Sequence, residues 1–210
     1  MAYVGDTRSR KLLARCREAG VGQIIVRGRL SGRRLDAWAY DNGAFEDWRK
    51  GRPFDAVQFA ADLDTIDAGG IPAPRFVVAP DVVAGGLDSL ALSLRWIRER
   101  PRADWYLAVQ DGMEPSDIPW NEAFAGVFVG GTLEWKLARG AEWVRAAHEH
   151  GRPCHVGRVG TSRRVAWARD IGADSIDSCL PLWSNENANA FFKALRQIHL
   201  FCESHEGALC

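Results

Sequence analysis

Gly126-Val127-Phe128-Val129-Gly130-Gly131-Thr132 opens the stretch from which the architecture is read. Uncharged residues bounded by glycines are followed by an amphipathic, helix-like stretch from Thr132 to His150. A second short run, His155-Val156-Gly157, comes next. Apolar runs of this length without polar alternation suit strands covered on both faces, as parallel sheets require. The unit therefore reads as strand, helix, strand.

The same unit recurs in both directions. Upstream lie Ala2-Tyr3-Val4, Gln23-Ile24-Ile25-Val26, Ala37-Trp38-Ala39-Tyr40, Phe76-Val77-Val78-Ala79 and Trp105-Tyr106-Leu107-Ala108-Val109; downstream lies Ser175-Ile176. Helical stretches are expected from Thr7 to Ala19, Ala56 to Ala68, Gly86 to Glu99, Arg163 to Ile171 and Asn187 to Cys202. Eight strands alternating with helices give an α/β fold, either a (β/α)8 barrel or a doubly wound sheet. The expectation is a compact (β/α)8 TIM barrel over residues 1–210, a single domain with tight loops and no zinc-binding insert.

Composition narrows the class. The chain has 210 residues, 47% of them apolar and 26% charged, with 27 basic against 27 acidic side chains. These values exclude a disordered tail, a collagen-like fibre and a disulfide-stapled miniprotein. No apolar run approaches the ~20 residues of a membrane helix, and Met1–Asp6 lacks a signal-peptide layout. Five scattered cysteines (Cys16, Cys154, Cys179, Cys202, Cys210) suit a reducing compartment. A cytoplasmic protein without a membrane partner is expected.

The zero net charge conceals an asymmetry. Residues 1–34 carry nine basic and two acidic side chains, and residues 151–169 carry five arginines and no acid. Such patches supply phosphate contacts, with Arg29, Arg33, Arg34, Arg158, Arg163 and Arg164 as candidates, or else form solvated helix faces.

Polar residues follow the strands in matching positions. Tyr40 is followed by Asp41-Asn42-Gly43-Ala44-Phe45, Ala79 by Pro80-Asp81, and Val109 by Gln110-Asp111-Gly112. Val129 leads into Gly130-Gly131-Thr132, and Ile176 into Asp177-Ser178-Cys179-Leu180-Pro181. Polar groups at successive strand C-termini converge on one mouth, where barrels and open α/β sheets hold their active sites.

These motifs, in this order, resemble the tRNA-guanine transglycosylases and their phage-type DNA-acting relatives, TIM-barrel enzymes that exchange guanine for a 7-deazaguanine. The family's D-x-F-D-C-V-L-P motif is matched without a gap by Asp174–Pro181, which implies a nucleophile at Asp177. Its D-S-G-G-[FY]-Q motif is matched by Asp41–Glu46, implying a second catalytic carboxylate at Asp41, with Asn42 and Phe45 at the substrate. The strand end Val78-Ala79-Pro80-Asp81 implies a base-reading Asp81. Val109–Gly112 stands for V-Q-G-G, and Gly130-Gly131 for the glycine pair of G-G-L, placing Gln110, Gly130 and Gly131 at the base.

The residue types suit the chemistry. Cleaving an N-glycosidic bond builds positive charge at C1′, which a carboxylate stabilises or captures covalently. A departing guanine needs an acid, and the incoming base needs a base. Guanine's N1–H and N2–H are donors for a carboxylate such as Asp81; Gln110 and the Gly131 N–H serve O6, and Phe45 stacks on the base or packs in the core.

Departures bear on the substrate. The family's C-x-C-x-x-C zinc site has no counterpart, since the 29 residues after Pro181 hold only two cysteines, Cys202 and Cys210, beside His199 and His205, at other spacings. These departures imply no metal and no cofactor, and DNA before tRNA as the nucleic-acid partner; the alternatives are the same exchange on tRNA or a non-catalytic nucleic-acid-binding subunit of such an enzyme. A 7-deazaguanine base such as preQ0 is the second substrate. Asn42, Glu46 and Leu133-Glu134-Trp135-Lys136 replace the family's residues and alter the pocket. Gly157–Arg164 reads as a phosphate-cradling loop or an ordinary strand-to-helix turn. The five histidines form no ligand motif; His148 and His150 read as exposed at a helix end. Trp38, Trp96, Trp105 and Trp143 read as core, whereas Trp135 and Trp183 stand beside motif residues.

Overall fold

A computed structural model describes residues 1–203, with side chains to residue 197. Eight parallel strands close into a barrel in sequence order: β1 Ala2–Val4, β2 Gly22–Val26, β3 Trp38–Asp41, β4 Val77–Val78, β5 Trp105–Val109, β6 Gly126–Val129, β7 Cys154–Val156 and β8 Ser175–Ser178. Closure is made by β1 against β8, with Tyr3 opposite Asp177. The protein is a compact (β/α)8 TIM barrel, and the doubly wound alternative falls.

Among the described residues seven α-helices surround it: α1 Arg10–Glu18, α2 Ala44–Arg49, α3 Ala56–Asp67, α4 Gly86–Glu99, α5 Leu133–Glu149, α6 Ser162–Asp170 and α7 Asn185–Glu203. Side-chain caps fix several starts: Ser9 accepts from Leu12, Asp55 from Gln58, and Thr132 from Trp135. The expected Thr7–Ala19 helix begins later because Ser9 is its cap. Two crossovers have no α-helix, β2 to β3 and β5 to β6, the latter holding a 3-10 turn at Pro115–Asp117. The short α2 was not expected. Its six residues are too few to show periodicity, and it starts behind Gly43, whose φ of 78° is a left-handed conformation.

The core has two shells. Between strands and helices lie Trp38, Trp105, Trp143, Phe59, Leu63 and Ile97, among others. Inside the barrel lie Tyr3, Ile24, Ala39, Phe76, Val78, Ala108 and Phe128. Trp38, Trp105 and Trp143 are fully buried, while Trp96 is partly buried against this core. Among the described residues no helix is long and apolar enough to cross a membrane. Cys202, His205 and Cys210 lie outside the described side chains.

Candidate active site at the strand C-termini

The site is the uppermost layer of the barrel interior. Side chains alternate along a strand, so the inward row continues two residues beyond Tyr3, Ala39, Ala108, Phe128, His155 and Ser175. Those positions are Gly5, Asp41, Gln110, Gly130, Gly157 and Asp177. The glycines are required by close approach. A Cβ on Gly130 would stand 2.4 Å from Gln110 Nε2, and one on Gly157 would stand 2.5 Å from the Phe128 ring. Three positions without side chains leave a polar floor open to the mouth.

Asp177 is 3% exposed. Its Oδ1 accepts from His155 Nε2 at 3.0 Å and from the Arg158 backbone N–H at 3.0 Å, while no described group donates to Oδ2. Burial opposes its ionisation. The His155 hydrogen bond, the Arg158 N–H and the Lys136 charge outweigh that, and its carboxyl sits below the usual carboxylate range. His155 is packed among the Phe128, Phe76 and Tyr3 rings, and Ser175 Oγ lies 2.8 Å from its Nδ1. Burial pulls its imidazole below the usual value despite Asp177. The ring is therefore neutral, with Nε2–H donating to the carboxylate and Nδ1 accepting from Ser175. No sequence motif singled out His155. Its only signal was two-residue spacing to the barrel mouth on the strand beside Asp177.

Asp41 ends β3, and its Oδ1 accepts from the Gly43 N–H at 2.7 Å. Burial, reinforced by the charge of Asp177, raises its carboxyl to about 6, against the opposing pull of the Gly43 N–H, Arg158 and Arg27. Two carboxylates in one mouth are thus displaced in opposite directions.

Asp81, 7% exposed, closes a third side. Asn42 Nδ2 donates to its Oδ1 at 2.6 Å, and Gln110 Nε2 donates to its Oδ2. Burial and the nearby Asp41 charge lift it to about 7 in spite of the Asn42 hydrogen bond. Asn42 is fully committed: its amide also donates to the Ala79 carbonyl, and its Oδ1 accepts from the Ala44 N–H. It therefore holds Asp81 and has no group left over for a base. Gln110 Oε1, in contrast, is buried without a partner.

Arg158 crosses the mouth. Its φ of 53° is the left-handed region that non-glycine residues rarely enter. The guanidinium donates to the Gly131 carbonyl at 2.6 Å and lies 3.7 Å over the Phe45 ring. Phe45 also stacks on Trp48. The expected free stacking face of Phe45 is thus occupied, and the surface it backs is the Arg158 guanidinium. Arg158, expected as a phosphate contact, is a cation of the mouth itself.

The remaining arginines divide. Arg33 and Arg163 are exposed and make no ion pair among the described residues. Arg29 is engaged by Glu46 at 3.3 Å and Asp6 at 3.7 Å. Arg164 is half-buried. Arg34 packs over Trp38, the first residue of β3, and so lies at the strand end opposite Asp41; it is not brought to the site. Asp111 accepts from the N–H and hydroxyl of Thr132 and fastens the start of α5. Trp135 packs on Gly131, and Trp183 stands 76% exposed beyond β8. No group of three or more His, Cys, Asp or Glu suited to a metal occurs among the described residues. A groove of about 620 Å³ lies at the other end of the barrel, among Met1, Arg15, Asp174 and Phe192, away from these carboxylates.

No family model matches the sequence, and no curated protein sequence matches it. Among solved structures the chain is similar to RipC from Yersinia pestis, at 16% identity over 93% of each chain with a TM-score of 0.50. It is also similar to 3-hexulose-6-phosphate synthase, at 14% identity over 93% of this chain and 98% of that one, TM-score 0.49. A glycerophosphodiester phosphodiesterase from Parabacteroides distasonis aligns at 14% identity over 89% of this chain and 63% of that one, TM-score 0.45. At such identities the likeness is one of fold.

Proposed function

We propose that this chain is a guanine transglycosylase. It exchanges guanine in nucleic acid, with DNA favoured, for a 7-deazaguanine base through a covalent glycosyl-aspartate. One observation carries the reading: two carboxylates in one mouth are pushed in opposite directions, Asp177 below the usual carboxylate range with an oxygen free and Asp41 raised to about 6. Environments that separate a pair of carboxyl groups in this way divide nucleophile from acid.

In the first half-reaction Asp177 Oδ2 attacks C1′ and the C1′–N9 bond breaks, its electron pair leaving with the base. Asp41, protonated, gives its proton to that base, and guanine departs neutral. In the second half Asp41, now a carboxylate, takes a proton from the incoming deazapurine. The base nitrogen attacks C1′ and Asp177 is released. Two inversions give retention. Arg158 and the Gly131 carbonyl it grips lie across the mouth, where a guanidinium plane would stack on a flat base. Asp81 in its ionised form accepts from N1–H and N2–H. Gln110 retains one amide hydrogen for O6, and its unpartnered Oε1 marks a hydrogen-bonding place not filled by the protein.

The test is incubation with radiolabelled guanine and either duplex DNA or tRNA. Label is expected in DNA. Incorporation into tRNA alone redirects the substrate, and incorporation into neither rejects the reading.

A further inference from the structure

One buried cation takes no part in that scheme. Lys136, on α5, is 2% exposed and has no ion-pair partner among the described residues. Burying an ammonium without a carboxylate is costly, and a methionine or leucine of similar size would be cheaper at a purely packing position. What Lys136 does have is one directed contact: its Nζ donates to the carbonyl oxygen of Gly157.

The Gly157 carbonyl and the Arg158 N–H belong to the same planar peptide unit. Its N–H end donates to Asp177 Oδ1 at 3.0 Å. The peptide therefore lies between an ammonium at its oxygen and a carboxylate at its nitrogen. Arg158 is also held at a φ of 53°, a conformation that persists only where the surroundings enforce it. A cation on the carbonyl strengthens the N–H as a donor, because linked hydrogen bonds polarise one another where the dielectric is low.

We propose that Lys136 is a positioning residue for Asp177. It pins the Gly157–Arg158 peptide by its carbonyl and polarises its N–H toward Oδ1, so that Oδ1 is held and Oδ2 stays free. The inference deepens the proposed function, resting on it for the role of Asp177 as nucleophile. The same contact fixes the peptide from which the Arg158 side chain reaches across the mouth. Burial pushes Lys136 down to about 7, and Arg158 and Arg164 push the same way while Asp177 and Asp111 hold it up. The groups facing Asp177 are His155 from β7, Arg158 from the following loop, Lys136 from α5, Asp41 from β3, and Cys179 beyond its own strand.

The test is a 13C NMR titration of the Asp177 side-chain carboxyl, identified by its loss in Asp177→Asn, in wild type and in Lys136→Met. Removing the ammonium is expected to raise the Asp177 titration by about one pH unit. Exchange should fall about 10- to 100-fold in kcat with little change in KM, its acid limb shifted upward by the same amount. An Asp177 titration unmoved to within about 0.2 unit would overturn the proposal and leave Lys136 a packing residue. If wild type shows no exchange but the titration still shifts, the reaction assignment fails and the Lys136–peptide–Asp177 linkage stands. Should Lys136→Met not fold, Lys136→Ala in propylammonium replaces it. Restoration of the low Asp177 titration by the amine supports the proposal, and its failure overturns it.

Discussion

The two ends of the barrel treat charge differently. At the end where helices lead into strands, Arg100 pairs with Asp64 and Asp67, and Arg102 pairs with Asp67 and Asp104. Every member there has an opposite charge beside it, and several are open to water. At the mouth, Asp41, Asp81 and Lys136 are drawn out of water with hydrogen bonds but no ion pair among the described residues, and Asp177 faces a neutral imidazole. Pairing at the first end holds each charge at little cost. At the second end desolvation is left uncompensated, and it appears as carboxyls raised to about 6 and about 7 and a lysine pushed down to about 7. Groups displaced toward neutrality in a concave mouth mark a candidate functional site.

The sharpest break in this comparison comes from the mouth. Asp177→Asn keeps size and most hydrogen bonding but removes the charge, so exchange should fall by about 10⁴-fold or more while nucleic-acid binding persists. Steady-state exchange and a filter-binding assay read the two separately. Asp81→Ala removes both base acceptors and should cost about 10³-fold in guanine exchange, with binding of the polymer unchanged.

The pH profile of exchange gives a third check. Asp41 must be protonated and Asp81 ionised at once, so with carboxyls near 6 and 7 the rate should peak close to midway, about 6.5. A flat profile between pH 5 and 8 would contradict these roles.

Stability extends the contrast. Asp41 binds its proton more tightly when folded, at about 6 against an ordinary 3.8. Its contribution therefore lowers stability as pH rises from about 4 to 6, and the loss is complete above 6. Asp41→Asn should stabilise the protein by about 2 kcal/mol at pH 8, allowing for its partial exposure, and by nothing at pH 3.5. Arg100→Ala at the opposite end, between partners 71% and 42% exposed, should cost under about 1 kcal/mol at either pH. Thermal unfolding of both variants at the two pH values makes the comparison directly.

The barrel was legible because its strands are buried on both faces and read as unbroken apolar runs. Val127-Phe128-Val129 and Leu107-Ala108-Val109 are examples. Asp41, Asp81, Gln110 and Asp177 were legible because each stands where such a run stops. Their supports were not. His155 sits inside a run with no motif around it, and Lys136 stands in a segment that reads only as a departure altering the pocket, with nothing to place its ammonium on the Gly157 carbonyl. Arg158, half-buried, belongs to a basic stretch in which Arg163 is an ordinary surface cation. Sequence order reveals which residues end strands. It does not reveal which side chains a neighbouring strand or helix turns back toward them, and Arg34, drawn to Trp38, shows the same blindness in reverse.

The central claim is that Asp177 carries the sugar. Wild-type protein incubated with guanine-containing DNA, with incoming base withheld, then denatured and digested, is read by peptide mass spectrometry. A denaturation-resistant adduct on the peptide containing Asp177, absent from Asp177→Asn, is the predicted result. An adduct on Asp41, or exchange without any adduct in wild type and undiminished in Asp177→Asn, would contradict it.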